Sequence, residues 1–466
     1  MTHAAPAKTN EALWEMDRAH SLHPWTNFGP FEDKGALVIT RGEGSYLWDA
    51  DGRKYFDAVG GLWCTNIGLG RREMADAIGE QAMKLAFSNT FVDMTNDPTA
   101  RLAAKLAELA PGDLNRVHFT TGGSTAVDTA VRMVSFYHHV RGNPGKTGIV
   151  ARENSYHGST YLCQSVGKRN GDRVEEFRYK EDGIWHLTCP NPYRRPDHLS
   201  EAQFCDGLIA EFEALIARVG ADRIGGFIAE PIQASGGIIV PPQDYLKRMW
   251  QVCQRHDILF IADEVVTAFG RLGHWFASLD EFGVQPDIIC TAKGLTSGYQ
   301  PLGAVVFSDR IWAAMATGGQ RWFTSGYTYS GHPVACAAGL KNIEIMEREG
   351  MLAHAARIGG IFQDRLKALE ALPLVGQVRG RGLMLCVENV ADKVTKALLP
   401  DEVGESKRIS DACEEMGLMV RPIGHLNVMS PPLVITEGEV EFVAEVLEKA
   451  IRKVTDDLVR AGVKVG

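Results

Sequence analysis

The chain has 466 residues with a formal net charge of −9, and 45% of them are hydrophobic, which is typical of a globular protein that buries a large core. The acidic balance and the lack of a basic stripe argue against nucleic acid as a partner. Nine cysteines form no CxxC pair and no run of 18 apolar residues occurs, so we expect no metal site, no membrane span and a cytoplasmic location.

The first predicted elements form a β-meander over residues 34–57. A strand at residues 36–40 is followed by a glycine-containing turn at residues 42–44, and Asp51 and Gly52 are typical of a two-residue hairpin turn. We expect this meander to belong to a small domain.

The middle of the chain alternates short apolar runs with helical patterns. Leu102, Leu106 and Leu109, for example, recur at spacings of four and three, which favours an amphipathic helix. Such alternation predicts a mostly parallel sheet wrapped by helices, and continuous apolar runs are typical of strands buried on both faces. The predicted strands are residues 116–120, 147–151, 226–230, 258–263, 287–291 and 302–307.

The C-terminal part mixes helices with short strands, including one at residues 382–387. We therefore expect an α/β protein with two domains. Residues 61–335 would form the large domain, and residues 1–60 and 336–466 would together form a smaller α+β domain.

Two charged residues follow predicted strands of the large domain. Asp263 ends an apolar strand, so its carboxylate would stand at the carboxyl edge of the sheet, where open α/β sheets bind ligands. Lys293 follows another apolar run and precedes Gly294, and desolvation there would make its amine a nucleophile able to form a Schiff base. The alternatives are a helix cap or ion pair for Asp263 and a lysine whose ammonium reaches water.

A glycine-rich turn and an aromatic turn supply two further groups. Gly122, Gly123 and Ser124 follow a predicted strand and open a helix predicted at residues 126–137, as in a phosphate cradle or a capped helix start. Tyr156 precedes a His-Gly pair, so its ring could cover a flat heterocycle or pack in the core.

These groups together indicate one ligand: a flat ring with a phosphate, a ring nitrogen and an aldehyde that a lysine can attack. Pyridoxal 5'-phosphate meets every requirement.

The chain resembles the class III aminotransferases of pyridoxal-phosphate fold type I, specifically the omega-aminotransferase or amine–pyruvate group. The most specific motifs are YHGST at residues 156–160, AEPIQ at 229–233 and AKGLTSGY at 292–299. Further matching segments, which extend the resemblance over nearly the whole chain, lie at residues 22–26, 61–64, 87–91, 261–265, 326–333, 420–424 and 430–433.

The resemblance implies a role for each matching residue at the cofactor. Lys293 would bind it covalently and shuttle a proton, and Asp263 would keep its pyridine nitrogen protonated. Val265 and Tyr156 would pack against the two faces of the ring. The remaining implied cofactor residues are Gly123 and Ser124 at the phosphate, with Glu230 and His157 shaping the site.

The resemblance also implies substrates and assembly. The substrates would be an amine and a keto acid, with Trp25, Trp63 and Phe91 as pocket aromatics and Arg421 as the carboxylate-binding residue. Thr328 would reach the phosphate of the neighbouring subunit, so the smallest active unit would be a homodimer, which could assemble further into a tetramer.

One segment departs from the family pattern. The phosphate loop of the family commonly reads Ser-Gly-Ser-Glu, whereas Gly122 and Thr125 replace the first serine and the acid here. Binding through backbone N–H groups is compatible with this change.

Alternative functions differ in the residues that they require. Residues 145–147 resemble the end of the phosphate-binding loop of P-loop NTPases. That function is not expected, because Val140 occupies the position where the loop requires its first glycine. A non-catalytic regulator would carry a DNA-binding module, and the chain ends resemble none. An ornithine-type aminotransferase, an aminomutase and a decarboxylase stay open, as does the donor, which could be a polyamine, β-alanine, taurine or an aryl amine.

Overall fold

The structure, a computed structural model, describes residues 10–317 and 319–466, apart from the side chains of residues 32–34. Its strands are β1 Ile39–Glu43, β2 Tyr46–Asp49, β3 Lys54–Asp57, β4 Arg116–Thr120, β5 Gly148–Arg152, β6 Ile184–Leu187, β7 Ile224–Ala229, β8 Leu259–Asp263, β9 Ile288–Thr291, β10 Gly303–Phe307, β11 Val375–Arg381, β12 Met384–Asn389, β13 Leu418–Met419, β14 Arg421–Ile423 and β15 Leu426–Met429.

Helices separate most of these strands. The α-helices are α1 Asn10–His20, α2 Phe28–Lys34, α3 Gly60–Trp63, α4 Arg72–Lys84, α5 Asp97–Leu109, α6 Gly123–Val140, α7 Tyr161–Val166, α8 Glu201–Val219, α9 Tyr245–Arg255, α10 Ala277–Asp280, α11 Asp309–Ala316, α12 Pro333–Arg348, α13 Met351–Lys367, α14 Glu405–Glu415 and α15 Glu437–Arg460. In the part of the chain that the structure describes, no helix is both long and apolar enough to cross a membrane.

A seven-stranded sheet lies at the centre, with the strand order β4-β10-β9-β8-β7-β5-β6. Strand β10 runs antiparallel to both neighbours and the other pairs are parallel, as the predicted mostly parallel sheet requires. The six predicted strands are present with ends shifted by at most two residues. Strand β6 was not predicted, because only its two end residues are buried and its apolar run is too short to stand out.

The two chain ends meet in a second sheet. Strands β1, β2 and β3 form the predicted antiparallel meander, although β1 begins at Ile39 and not at residue 36. Strand β13, from the C-terminal part, pairs in parallel with β3. A third, antiparallel sheet has the order β11-β12-β15-β14. The predicted domain boundaries stay a prediction.

The central sheet positions the site. The strands β7, β8 and β9 are buried along their whole length because they carry apolar residues on both faces. Strands β8 and β9 are parallel neighbours, so the residues that follow them emerge at the same edge of the sheet. That edge carries Asp263 and Lys293.

Candidate active site

Lys293 follows β9 and begins a single 3-10 turn, Lys293–Leu295. Its backbone is left-handed, with a φ of 42°, a strained conformation that is often found at functional sites. Its Nζ lies 5.5 Å from the ring centroid of Trp63 and donates to no described residue. Desolvation lowers the pKa of the Lys293 ammonium, and the nearby carboxylate of Asp263 opposes that shift.

Asp263 pairs with a buried histidine. The Nδ1–H of His157 donates to Oδ2 of Asp263 over 2.6 Å, and the backbone N–H of Val265 donates to Oδ1 over 3.2 Å. Both side chains are buried, and Nε2 of His157 has no partner among the described residues. The arrangement fixes the carboxylate by donors on both oxygens.

Glu230 follows β7 at the same edge and is buried. Its Oε1 accepts the N–H of Tyr156 over 3.1 Å, and its Oε2 accepts the N–H of Ala234 over 2.9 Å. Burial raises the pKa of this carboxyl, with His157 opposing the shift. Glu230 therefore holds the turn that carries Tyr156.

The glycine-rich turn opens α6, which begins at Gly123 and not at the predicted residue 126. The backbone at Gly123 approaches Val265 closely, since a Cβ would lie 3.0 Å from Cγ1 of Val265. The hydroxyl of Ser124 accepts the N–H of Ser159 over 3.1 Å. Thr125, at the place of the missing acid, donates its hydroxyl to the carbonyl of Gly122 over 2.9 Å and so closes the turn.

These groups line one cavity of about 310 Å³. Trp25, Trp63 and Tyr156 contribute aromatic walls, and the ring centroids of Trp25 and Tyr156 are 6.1 Å apart. The other predicted site residues that line the cavity are Gly123, Ser124, His157, Glu230, Asp263, Val265, Lys293 and Arg421.

Arg421 also lines the cavity, with its guanidinium 5.8 Å from the ring centroid of Trp63. It makes no side-chain hydrogen bond or ion pair with another described residue, and desolvation lowers its pKa. Arg421 starts strand β14, and a turn follows at Gly424, where φ is 54°.

Two predicted site residues lie outside this cavity. Phe91 is half-exposed and lines a separate cleft with His118 and Trp322. Thr328 is exposed and contributes to no wall of the cavity. One chain alone therefore does not bring Phe91 or Thr328 to Lys293.

Sequence reasoning missed three polar residues of the cavity, Arg169, Ser235 and Thr267. Thr267 follows β8 and donates its hydroxyl to Oε2 of Glu264 over 3.0 Å. Arg169 lies in a polar stretch between α7 and β6, and Ser235 lies in the loop after β7. Neither Arg169 nor Ser235 belongs to a recognisable motif, so no pattern in the sequence singles them out.

The model of the family described as aminotransferase class-III matches residues 30–451. The chain belongs to the class III aminotransferases. It is therefore a pyridoxal-phosphate-dependent aminotransferase of fold type I, which confirms the predicted family, fold, enzyme class and cofactor.

Several known aminotransferases are similar to this enzyme over almost its full length. The putrescine–pyruvate aminotransferase of Pseudomonas aeruginosa is 39% identical, with 96% of each chain covered. The diaminobutyrate–2-oxoglutarate transaminase of Halomonas elongata is 38% identical, with 97% of this aminotransferase and 98% of the relative covered.

Solved structures give the same result. The (S)-enantioselective omega-transaminase from Thermomicrobium roseum superposes with a TM-score of 0.93 at 42% identity, covering 96% of this aminotransferase and 99% of that chain. The omega-transaminase from Pseudomonas jessenii in complex with PMP superposes with a TM-score of 0.92 at 37% identity, covering 95% and 98%.

Proposed function

We propose that this aminotransferase moves an amino group from a primary amine or an omega-amino acid to pyruvate in two half-reactions of a ping-pong mechanism. The observation that carries the proposal is the unpaired guanidinium of Arg421 in the same cavity as Lys293. A desolvated guanidinium without a counterion is unfavourable, and a carboxylate is its preferred partner. The relative described as a putrescine–pyruvate aminotransferase supports pyruvate as that keto acid.

The residues of the cavity fit pyridoxal phosphate. Gly123 leaves room where a Cβ would press on Val265, and the backbone N–H groups at the start of α6 form a cradle for a phosphate. The orphaned Nε2 of His157 is a buried polar atom that a ligand could satisfy. When bound, the cofactor supplies a carbonyl that exchanges amines and a ring that accepts electrons from the substrate carbon.

We assign the ends of the ring to different residues. Gly123 and Ser124 would hold the phosphate, and Asp263 would hold the proton on the pyridine nitrogen, because its carboxylate is fixed by His157. Val265 and Tyr156 would cover the two faces. Glu230 supports this arrangement by holding the backbone of the Tyr156 turn.

Lys293 would move the proton in both half-reactions. Because burial lowers its pKa, a larger fraction of its amine is neutral near pH 7 than for an exposed lysine. A neutral amine can accept the proton that leaves the substrate carbon and return it elsewhere. The ring of Trp63, 5.5 Å from Nζ, would orient the amine.

Arg421 would serve the two substrates differently. It would bind the carboxylate of the keto acid and turn aside for an amine that has none, because a fixed guanidinium would then lose its partner. Its position supports this role: β14 has only three residues and is the outermost strand of its sheet.

The test of this proposal is Arg421→Ala, followed by single-turnover spectra of each half-reaction. The pyruvate half-reaction should weaken by about 1.5–3 kcal/mol, or roughly 10–100-fold, the value of a charge-assisted pair. The half-reaction with a carboxylate-free amine should change by only a few-fold. Equal losses in both would mean that Arg421 supports the fold or the cofactor instead.

A panel of amines would then establish the acceptor. Alanine formed from pyruvate would be compared with glutamate formed from 2-oxoglutarate, the keto acid named for the Halomonas relative. We expect the pyruvate reaction to be faster with most donors. A strict requirement for 2-oxoglutarate would overturn the assignment of pyruvate.

We further propose that the active unit is a homodimer in which Thr328 and Phe91 complete the neighbouring site. Both are exposed in the single chain, and the exposed side chains of Phe87, Trp322 and Tyr329 accompany them. Exposed apolar groups of this size favour an interface.

We also propose a cytoplasmic location, supported by nine cysteines that are all free thiols.

A further inference from the structure

Arg169 carries a second guanidinium into the cavity of Lys293 and Arg421. Its Cζ lies 5.1 Å from the ring centroid of Tyr156 and 5.9 Å from that of Trp25. The two aromatic walls therefore hold it in place by cation–π contacts. Its side chain is 12% exposed, so it is mostly withdrawn from solvent.

The counterion of Arg169 is Asp172, to which Nε of Arg169 donates over 2.9 Å. Both Nε and Nη2 of Arg169 donate to a single oxygen, Oδ1 of Asp172. Asp172 does not line the main cavity but a small one that shares Trp25 and Tyr156 with it and that Arg169 does not line. The cavity of Lys293 is therefore lined by the base of this pair and not by its acid.

One edge of the guanidinium is left for a ligand. An arginine has five N–H donors in a planar fork, and Nη1 of Arg169 donates to no described residue. Since Asp172 fixes the plane, binding a ligand would require little loss of side-chain freedom.

The charged groups that line the cavity beside Lys293 are two carboxylates and two guanidiniums. The two carboxylates, Asp263 and Glu230, are buried and already accept hydrogen bonds from His157 and from backbone N–H groups. Arg169 and Arg421 also line the cavity: Arg421 has no ion-pair partner among the described residues, and Arg169 pairs with Asp172, which does not line it. This part of the cavity therefore favours negative groups on a substrate and disfavours ammonium groups.

We propose that Arg169 is a specificity-determining residue that binds a substrate carboxylate remote from the reacting carbon. The preferred donors would then be omega-amino acids over diamines, whose remote ammonium would face the guanidinium of Arg169. The inference rests on the proposed function and deepens it. The proposed preference differs from that of a strict diamine aminotransferase. One relative is named a putrescine–pyruvate aminotransferase, and putrescine is a diamine.

The first test measures binding without turnover. Calorimetry on the holoenzyme would compare glutarate, which has two carboxylates, with pentanoate, which has one and the same chain length. We expect glutarate to bind about 10-fold more tightly, the value of one additional charge-assisted pair at a partly exposed site. Arg169→Gln should remove that advantage, and Arg169→Lys should keep part of it.

Matched variants separate this role from a structural one. Arg173→Gln removes another arginine of the same segment, whose guanidinium contacts Tyr179 and does not line the cavity. It should keep the preference for glutarate. Asp172→Asn keeps the charge of Arg169 and removes its counterion, so the preference should be kept or increased.

The second test measures turnover with pyruvate. The ratio of kcat/KM for 5-aminopentanoate to that for pentylamine should fall about 10-fold in Arg169→Gln, and the ratio for cadaverine to pentylamine should rise. The ratios cancel any loss common to all amines, such as a shifted Tyr156 ring.

The outcomes are distinguishable. Unchanged ratios and an unchanged preference for glutarate in Arg169→Gln would overturn the proposal and leave Arg169 as a support for Tyr156 and Trp25. A failure of all amines to aminate pyruvate would refute the proposed function, whereas the calorimetric preference for glutarate would still test Arg169.

Discussion

Asp263 and its neighbour Glu264 are two buried carboxylates with different surroundings. Asp263 is fixed by His157 and lines the cavity, whereas Glu264 accepts N–H groups of Ala277 and Ser278 over 2.8 and 2.9 Å and does not line it. Of these two adjacent residues, Asp263 therefore belongs to the site, whereas Glu264 stabilises the fold.

We predict that Asp263→Asn lowers kcat by about 10²-fold or more, because a neutral amide loses several pKa units of stabilisation for a protonated ring nitrogen. Glu264→Gln is the control: it should lower the melting temperature more than it lowers kcat. Turnover and thermal unfolding of both holoenzymes check this. A loss of less than threefold for Asp263→Asn would mean that this carboxylate is structural.

At the scale of elements, the site depends on close contact between the start of α6 and the turn after β5. Gly158 in that turn has a φ of 121°, and a Cβ there would lie 2.7 Å from Cα of Ser124. Because backbone cannot give way as a side chain can, Gly158→Ala must separate the two elements.

We predict that Gly158→Ala lowers the affinity for pyridoxal phosphate about 10-fold and destabilises the fold by about 1–3 kcal/mol. Gly142→Ala is the matched control, since Gly142 also has a positive φ, 86°, but no neighbour within 4 Å of a Cβ. Cofactor titration and thermal melting distinguish the variants. Equal effects of both would show that backbone strain, and not the contact, is responsible.

The β14–β15 hairpin that carries Arg421 is tied to the helix α14 through His425. Its Nδ1 lies 2.8 Å from Oε1 of Glu405, and its Nε2 lies 3.2 Å from Oδ1 of Asp401. The hydrogen bond with Glu405, followed by the charges of both acids, raises the pKa of His425 against the opposing effect of burial.

A raised pKa in the folded state stabilises the protein below the unfolded pKa of about 6.5, and this contribution is lost as the pH rises through the folded value. We therefore predict that His425→Gln lowers the melting temperature by about 2 °C at pH 5.5 and by less at pH 9. Melting curves of both proteins at the two pH values measure the difference. A larger effect at pH 9 would contradict the sign of the shift.

At the scale of the whole molecule, a single chain leaves Thr328 and Phe91 away from the cavity. If Thr328 serves the phosphate of a neighbouring subunit, Lys293→Ala and Thr328→Ala damage different sites of a mixed dimer. One site in each heterodimer then keeps both residues.

We predict that mixing the two weakly active or inactive variants, after dissociation and reassembly, restores up to about a quarter of the parent activity, the statistical share of intact sites. Each variant reassembled alone is the control. An active monomer in sedimentation, or no recovery from mixtures that do contain heterodimers, would refute the exchange of Thr328.

The sequence by itself determined six of the seven strands of the central sheet and the identity of two charged residues at its carboxyl edge. Strands buried on both faces can be recognised in a single sequence as short apolar runs, so Asp263 and Lys293 could be placed at strand ends. The glycines at the start of α6 could also be recognised from the sequence, because glycine often marks a close backbone approach that a side chain would prevent.

Only the tertiary structure decided which side chains share the cavity. Arg169 reaches it from a segment without regular periodicity, and its counterion Asp172 does not line it, which no spacing in the sequence reveals. Phe91 belongs to a segment that matches the family and yet lines a different cleft of the chain. The physical reason is that the walls of a cavity are set by contacts between residues far apart in sequence, whereas periodicity reports only on local burial.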